Sequence, residues 1–349
     1  MIPYASAAQG PCDGWAAPLP DRTYRALGYT IRSDVELEGL PEGDAPASRD
    51  TPLSFTVQGT QVAWPPAGGT VTSPAYLDPH APLPANTLVL YEHDPDTWDW
   101  FAAFDGLPTT SVRCNLRDRS ITFTCAEALD TFRVSYHLIS PVLPFWCRRD
   151  GRLTLHGAVI DIGGEAVIVL GDKGMGKSTI CAAFLQKGCA IHSEDVAAIS
   201  ADLASVYRGS NVLRIEADTA NAILGDGLRL HQPAFSKPLL KTDRSNAPPG
   251  RDSLPIRAIL ELAPFSDVPC PGLSPVGGHQ AKMSILRHLS SKAFPVPTSV
   301  KKTEFIAATA LAEKIPVLRV DRPRDLAALG DTVDQIIGDH APRGASHVP

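Results

Sequence analysis

In the stretch Gly171-Asp172-Lys173-Gly174-Met175-Gly176-Lys177-Ser178-Thr179 the first eight residues satisfy the spacing G-x-x-x-x-G-K-[ST] in full. Gly171, Gly174 and Gly176 permit backbone turns that residues with a Cβ resist, so successive N–H groups can converge on one concavity. Such a concavity holds phosphate. In the mechanics of this motif Lys177 reaches the β and γ phosphates of a nucleotide as a point charge, and the Ser178 hydroxyl ligates Mg²⁺. Thr179, next in line, is placed for the α phosphate, and Lys173 is either a second phosphate contact or a solvated loop lysine.

A second constellation follows closely. Glu194-Asp195 ends a short apolar run, Cys189–His192, and ligand sites in α/β sheets sit at the carboxyl ends of strands. One of these carboxylates can hold Mg²⁺, directly or through water, while the other accepts a proton from an attacking hydroxyl. The competing reading is a solvated strand-end turn, common for both residue types. His156, upstream of the glycine-rich loop, is either a core histidine satisfied by backbone or a donor beside the transferred phosphate. Glu261, in a later apolar run, is a third carboxylate that could reach the metal, or an edge charge.

These residues need elements to position them. Ala166–Leu170 is an apolar run suited to a buried strand entering the loop. Ser178–Gln186 places Ile180, Phe184 and Leu185 on one helical face, with Gly188 as the stop, so the loop opens a helix whose N-terminus favours anions. Thr154–Ile162 and Leu254–Ala263 are further predicted strands, Arg214–Leu224 a helix ending at Gly225, and Pro264–Gly278 a loop. Lys282–Leu289 and Glu304–Lys314 are predicted helices, Pro316–Val320 the last strand, and Arg324–Ile337 a closing helix. Lys237, Lys241 and Arg244 fall in a loop from Ser236 to Arg251, read as surface charges or as a basic lid over phosphate.

The N-terminal part reads differently. After a loosely ordered start over residues 1–22, Tyr24–Leu40 alternates like a half-buried strand running into a turn. Leu53–Val57, Thr87–Tyr91, Ser111–Leu116 and Ser120–Cys125 are short strands between Pro-, Gly- and Asp-rich loops. Phe132–Trp146 is a helix broken at Pro141 and Pro144, with a domain boundary near 150. The fold class is α/β, with a β-rich domain over 1–150, a phosphate-loop domain over 151–338 and a flexible tail over 339–349.

Composition bounds the partners. A net charge of −6, with no Lys/Arg cluster interleaved with aromatics, argues against nucleic acid. The chain has no apolar run near 18 residues and no charged start followed by an apolar stretch, so no membrane partner is expected and the reading is cytoplasmic. Seven scattered cysteines without a C-x-x-C pair suit reduced thiols, and the ten histidines show no spacing of a transition-metal site.

The second part resembles the catalytic domain of HPr kinase/phosphorylase, a P-loop kinase fold related to phosphoenolpyruvate carboxykinase. The resemblance rests on His156-Gly157, Gly171–Ser178 and Glu194-Asp195 in that order. It is similar also to HPr-kinase-like proteins of biosynthetic gene clusters that phosphorylate the C-terminal serine of lasso-peptide precursors. Tyr24-Arg25-Ala26-Leu27-Gly28, Leu155-His156-Gly157-Ala158, Ile315-Pro316-Val317 and Pro323-Arg324-Asp325-Leu326 carry that likeness. The resemblance implies ATP and Mg²⁺ at Lys177 and Ser178, a phosphate contact at His156, and a base and a metal contact from the acidic pair, with Asp195 at the metal and either Glu194 or Asp195 the base. The family commonly has two aspartates where this chain has Glu194-Asp195, and its second glycine-rich signature is not evident here. The expected activity is ATP-dependent phosphorylation of a serine hydroxyl on a precursor peptide or small protein. The alternatives are a regulatory HPr-directed kinase and a nucleotide-sensing module without transfer; homo-oligomerisation is left open.

Overall fold

A computed structural model of the chain describes residues 22–43, 52–59, 70–71, 87–94, 96–104, 107–125, 131–231, 237–242, 251–268, 270–290 and 296–340. The predicted loose start up to residue 21, Arg244 with the rest of 243–250, and residues 341–349 of the predicted tail lie outside the described residues.

Eight strands make the first sheet: β1 (Arg22–Ala26), β2 (Tyr29–Ser33), β3 (Leu53–Gly59), β4 (Thr70–Val71), β5 (Thr87–Asp94), β6 (Thr97–Phe104), β7 (Leu107–Asn115) and β8 (Ser120–Cys125). Their order is β1-β2-β3-β8-β7-β6-β5-β4. The single strand expected over Tyr24–Leu40 is instead a hairpin, because Leu27 and Gly28 both take positive φ (52° and 79°) and reverse the chain in two residues.

The chain then turns helical as α1 (Thr131–His137), a π-helical turn (Leu138–Val142) and α2 (Leu143–Arg149). The break falls at Pro141 alone. Ser140, held before a proline, leaves helical geometry at φ −141° and ψ 83°. Pro144 does not break the helix; it occupies the first turn of α2, where the missing N–H has no partner to lose. Leu143, Phe145 and Trp146 of α2 join the core beneath the first sheet, and this core also takes in Val196 and Ala198 from the second half.

That half begins with β9 (Thr154–Ile162), β10 (Glu165–Leu170) and α3 (Lys177–Gln186). It continues through β11 (Ala190–Ser193), β12 (Val196–Ile199), β13 (Ser205–Tyr207), β14 (Val212–Arg214), α4 (Ala217–Leu224), β15 (Leu230–His231) and β16 (Leu239–Lys241). It closes with β17 (Ser253–Leu262), β18 (Gly272–Val276), α5 (Gly278–Arg287), α6 (Thr298–Lys314), β19 (Val317–Asp321) and α7 (Leu329–His340). Two long strands are shared between pairings. β9 pairs with β12 over Thr154–His156 and with β10 over Gly157–Ile162, while β17 pairs with β13 over Ser253–Pro255 and with β10 over Ile256–Glu261. The path β10-β9-β12-β13-β17 therefore closes on itself, with β19 and β18 extending from β17.

Alternation decides which helix covers which face. Val167 and Val169 of β10 pack with α3, α4 and α7 in one cluster, whereas Ala166, Ile168 and Leu170 pack with α5 and α6 in another. A strand covered on both sides reads as a continuous apolar run, as Ala166–Leu170 does.

Several expected boundaries shift. Arg214 ends strand β14 rather than opening a helix, because Val212 to Arg214 find β16 as a partner. Gly272–Val276, expected as loop, pairs along β19 as an edge strand. Helix α5 begins at Gly278 rather than Lys282, and α6 at Thr298 rather than Glu304. The closing helix starts at Leu329 rather than Arg324 and persists to His340, two residues into the expected flexible tail. Lys241 lies on strand β16 and pairs with Glu38 at 3.0 Å, and Lys237 pairs with Glu216 at 3.2 Å.

Arg148 of α2 and Glu304 of α6 form a buried bidentate pair at 2.5 and 3.0 Å, tying the helical connection to the C-terminal helices. Glu304→Ala should destabilise the protein by about 3–5 kcal/mol in urea titration, because it takes the carboxylate partner away from a buried guanidinium. The double variant Arg148→Met with Glu304→Leu should recover most of that loss; equal destabilisation by both would show that packing, not the pair, matters there.

Candidate active site

The glycine-rich loop is held from three sides. At its entry a Cβ on Gly171 would sit 3.2 Å from Leu262 Cβ and 3.3 Å from Met175 Cβ, closer than an ordinary contact, so a side chain there would push a neighbour aside. Gly174 and Gly176 take φ of 87° and 78°, in the left-handed region, and Gly176 delivers the chain into α3. Outside the loop, buried Arg322 donates to Ala263 O at 3.0 Å and to Met175 O, with its guanidinium 4.5 Å from the Phe265 ring centroid. Lys177 folds back so that its ammonium donates to Gly171 O. Ser178 and Thr179 open the first turn of α3, where unpaired N–H groups and the helix dipole favour an anion.

The acidic pair is not a strand-end turn. β11 and β12 both run antiparallel along β9, and Glu194-Asp195 is the two-residue break between them. Ser193 Oγ closes this corner by donating to Val196 O at 2.6 Å. Across the break, Gly157 N donates to Asp195 O at 3.1 Å, while on its other side Gly157 is the register partner of Leu170, the residue before the loop. A Cβ on Gly157 would lie 2.8 Å from Val169 O, so the close approach requires glycine. Loop entry and acidic corner thus stand two strand spacings apart, roughly 10 Å.

The side chains converge further. His156 Nδ1 lies 3.4 Å from Asp195 Oδ1, and Arg214 reaches Asp195 Oδ1 at 2.7 Å and Glu194 Oε2 at 3.2 Å. Ser140, from the π-helical turn, hydrogen-bonds the Asp195 carboxylate, and the Arg214 guanidinium stacks 4.7 Å from the Tyr136 ring centroid. Burial pushes Asp195 up, but Arg214, His156, the Ser140 hydrogen bond and Lys177 outweigh it and hold the carboxylate below its usual range. Glu194 goes the other way. Burial pushes it up to about 7, with the neighbouring Asp195 charge adding to the shift and Arg214 opposing it. Burial also lowers the Lys177 ammonium, while Asp195, Glu194 and Asp172 pull it back up. His156 is lowered by burial and by Lys177, Arg214 and His288, against Asp195.

The structure therefore brings together Lys177, His156, Glu194 and Asp195 around β9, with Gly171–Thr179 on the same side of the fold. Glu261, the penultimate residue of β17, is in register with Leu170 and lies 3.6 Å from Arg287. Lys173 is exposed. A narrow slot of about 30 Å³ runs to the carboxylates between Glu38, Tyr136, Ser140 and Arg214. Among the described residues no group of three or more His, Cys, Asp and Glu is arranged to hold a metal. The Ser178 hydroxyl and the Asp195 carboxylate are hard oxygen donors that suit Mg²⁺, which takes one or two carboxylates and fills its shell with water and phosphate.

Arg214, Ser140, Tyr136 and Arg322 were not signalled by the sequence as site residues. Each acts over a long separation, and only a basic residue near the acidic pair could have hinted at Arg214.

No protein-family model matches the chain, and no curated protein matches it. Among solved structures it is similar to the HPr(Ser) kinase/phosphatase from Coxiella burnetii, at 11% identity and a TM-score of 0.28, over 54% of this chain and 95% of that one. A likeness of that size carries no functional weight. No helix among the described residues is long and apolar enough to cross a membrane.

Removing the Arg214 charge should expose how much the carboxylates depend on it. In Arg214→Met both carboxyls gain pKa values above those of the unfolded chain, so stability falls as pH rises through the raised values. Urea titration should show a loss of about 3–5 kcal/mol at pH 8 and a clearly smaller one at pH 5; a larger loss at pH 5 would contradict the assignment.

Proposed function

We propose that this chain is an ATP- and Mg²⁺-dependent phosphotransferase that moves the γ-phosphoryl group onto a hydroxyl. The observation that carries this reading is the double use of Gly157: one side is in register with the strand feeding the Lys177 loop, and the other bonds the backbone of ionised Asp195. Phosphoryl transfer asks little covalent chemistry of a protein; positioning and charge neutralisation supply most of the acceleration. Both are present.

Lys177 swings from Gly171 O to the β and γ phosphates, while the N–H groups at the start of α3 take the remaining phosphate oxygens. Ser178 and Asp195 would hold Mg²⁺, whose contribution when bound is to neutralise charge on the phosphate oxygens. The acceptor hydroxyl oxygen bonds to the γ phosphorus as the bond to the ADP oxygen breaks, and the hydroxyl proton passes to a carboxylate of the acidic pair, Asp195 or Glu194. His156 steadies the Asp195 carboxylate and lies beside the moving phosphoryl group. Glu194 keeps Arg214 in place, and Arg214 keeps Asp195 ionised.

The acceptor we infer is a serine of a peptide. The slot leading to the carboxylates is walled by Glu38, Tyr136 and Ser140, so the first 150 residues would recognise the acceptor. Within that class, the sequence resemblance favours the C-terminal serine of a lasso-peptide precursor.

Incubation with labelled ATP, Mg²⁺ and a panel of serine-ending peptides, with HPr alongside, tests the proposal. Label should enter a peptide serine, and Asp195→Asn should cut transfer on the order of 100-fold or more while ATP binding persists. Label on HPr alone would move the assignment to a regulatory kinase. ATP hydrolysis with no labelled acceptor, or full transfer by Asp195→Asn, would overturn it.

A further inference from the structure

His288 follows the last turn of α5, outside every motif the sequence shows, and is 4% exposed. Its backbone is clamped to the site strand. His156 N donates to His288 O at 2.6 Å, Ser290 N donates to Thr154 O at 2.9 Å, and Leu289 forms a bridge with Leu155. These contacts hold the His288 backbone against the edge of β9.

Its two nitrogens differ. Nδ1 lies 2.9 Å from the carbonyl of Ser284, an acceptor, so Nδ1 carries a proton. Nε2 is buried with no hydrogen-bond partner, 3.6 Å from Asp172 Oδ1 in the loop. The Asp172 side chain is 66% exposed and free to swing outward. A buried ring nitrogen facing a phosphate loop with nothing to bond is a group awaiting a ligand.

We propose that His288 is a further phosphate-positioning residue, whose Nε2 donates to the terminal phosphate of a bound nucleoside triphosphate and so favours triphosphate over diphosphate. This rests on the phosphate-binding reading of the loop. Because Nδ1–H is committed to Ser284, Nε2 can donate only when the ring is an imidazolium, and triphosphate binding therefore carries one proton onto His288. The groups around it set the balance. Burial and Lys177 of α3 disfavour the charge, and His156 of β9 is a second imidazole close enough to be coupled to it. Asp172 of the loop and Glu261 of β17 favour it, with Arg287, its chain neighbour, tied to Glu261 at 3.6 Å. Without nucleotide, burial prevails and the ring is held below its ordinary range; the charge of a terminal phosphate reverses the balance.

Calorimetric titration of the full chain with AMP-PNP and with ADP, both with Mg²⁺ and in buffers of different ionisation heat, separates the outcomes. Wild type should take up a proton with AMP-PNP and not with ADP. His288→Ala should weaken AMP-PNP about 10-fold, leave ADP within about twofold and abolish the extra proton uptake, and His288→Gln, which keeps a donor, should restore part of the affinity. Equal weakening of both nucleotides would mean a structural role, and unchanged affinities or unchanged proton uptake would mean no contact; either overturns the proposal while the kinase reading stands. Failure of wild type to bind either nucleotide would overturn the loop's phosphate role and this inference together.

Discussion

The structure depends on one strand paired along both edges. β9 gives Thr154–His156 to β12 and Val159–Asp161 to β11 on one edge and Gly157–Ile162 to β10 on the other, and the change of partners falls at His156-Gly157. At that point the backbone of Asp195 is bonded from one side and the strand entering the phosphate loop is paired on the other. A side chain at Gly157 would clash with Val169 O, so the spacing between loop and acidic corner is set by backbone contact rather than by adaptable side chains. Catalytic groups placed by a sheet keep their geometry better than groups placed by a loop.

Electrostatics build on that frame. Two carboxylates in a poorly solvated corner would not both ionise unaided. Arg214 resolves the conflict by pairing with both, leaving Asp195 charged and Glu194 near neutrality. The guanidinium is itself held by Tyr136, and Asp195 by Ser140, both from the helical segment that leaves the first sheet. The β-rich half therefore contributes to the site directly. Its core reaches across to Val196 and Ala198, the strand that follows the acidic pair, so its packing and the corner's position are coupled.

Much of this was legible in the sequence, for local reasons. The loop motif, the strand before it and the helix after it are continuous segments whose glycine spacing and periodicity do not depend on distant partners, and they occur where expected. The acidic pair is legible by type and does follow a short strand, β11; that β12 resumes along β9 just beyond it is not legible, because a break in a strand edge looks like a strand end when only one flank is examined. Arg214 was assigned to a helix because alternation over three residues, Val212 to Arg214, is too short to register without β16 beside it. Gly272–Val276 carries proline and glycine and becomes a strand only because β19 offers a free edge. Pro144 reads as a breaker because sequence alone does not say whether a proline begins a helix or ends one. Arg322, Ser140 and His288 reach the site over separations that no local pattern encodes.

The most direct test of the central claim is a crystal structure with AMP-PNP and Mg²⁺. The account predicts the γ phosphorus between the Lys177 ammonium and the Asp195 carboxylate, with that carboxylate within about one strand spacing, ~5 Å, of the phosphorus. A triphosphate seated with its terminal group directed away from the β11–β12 corner, two or more strand spacings from Asp195, would contradict it.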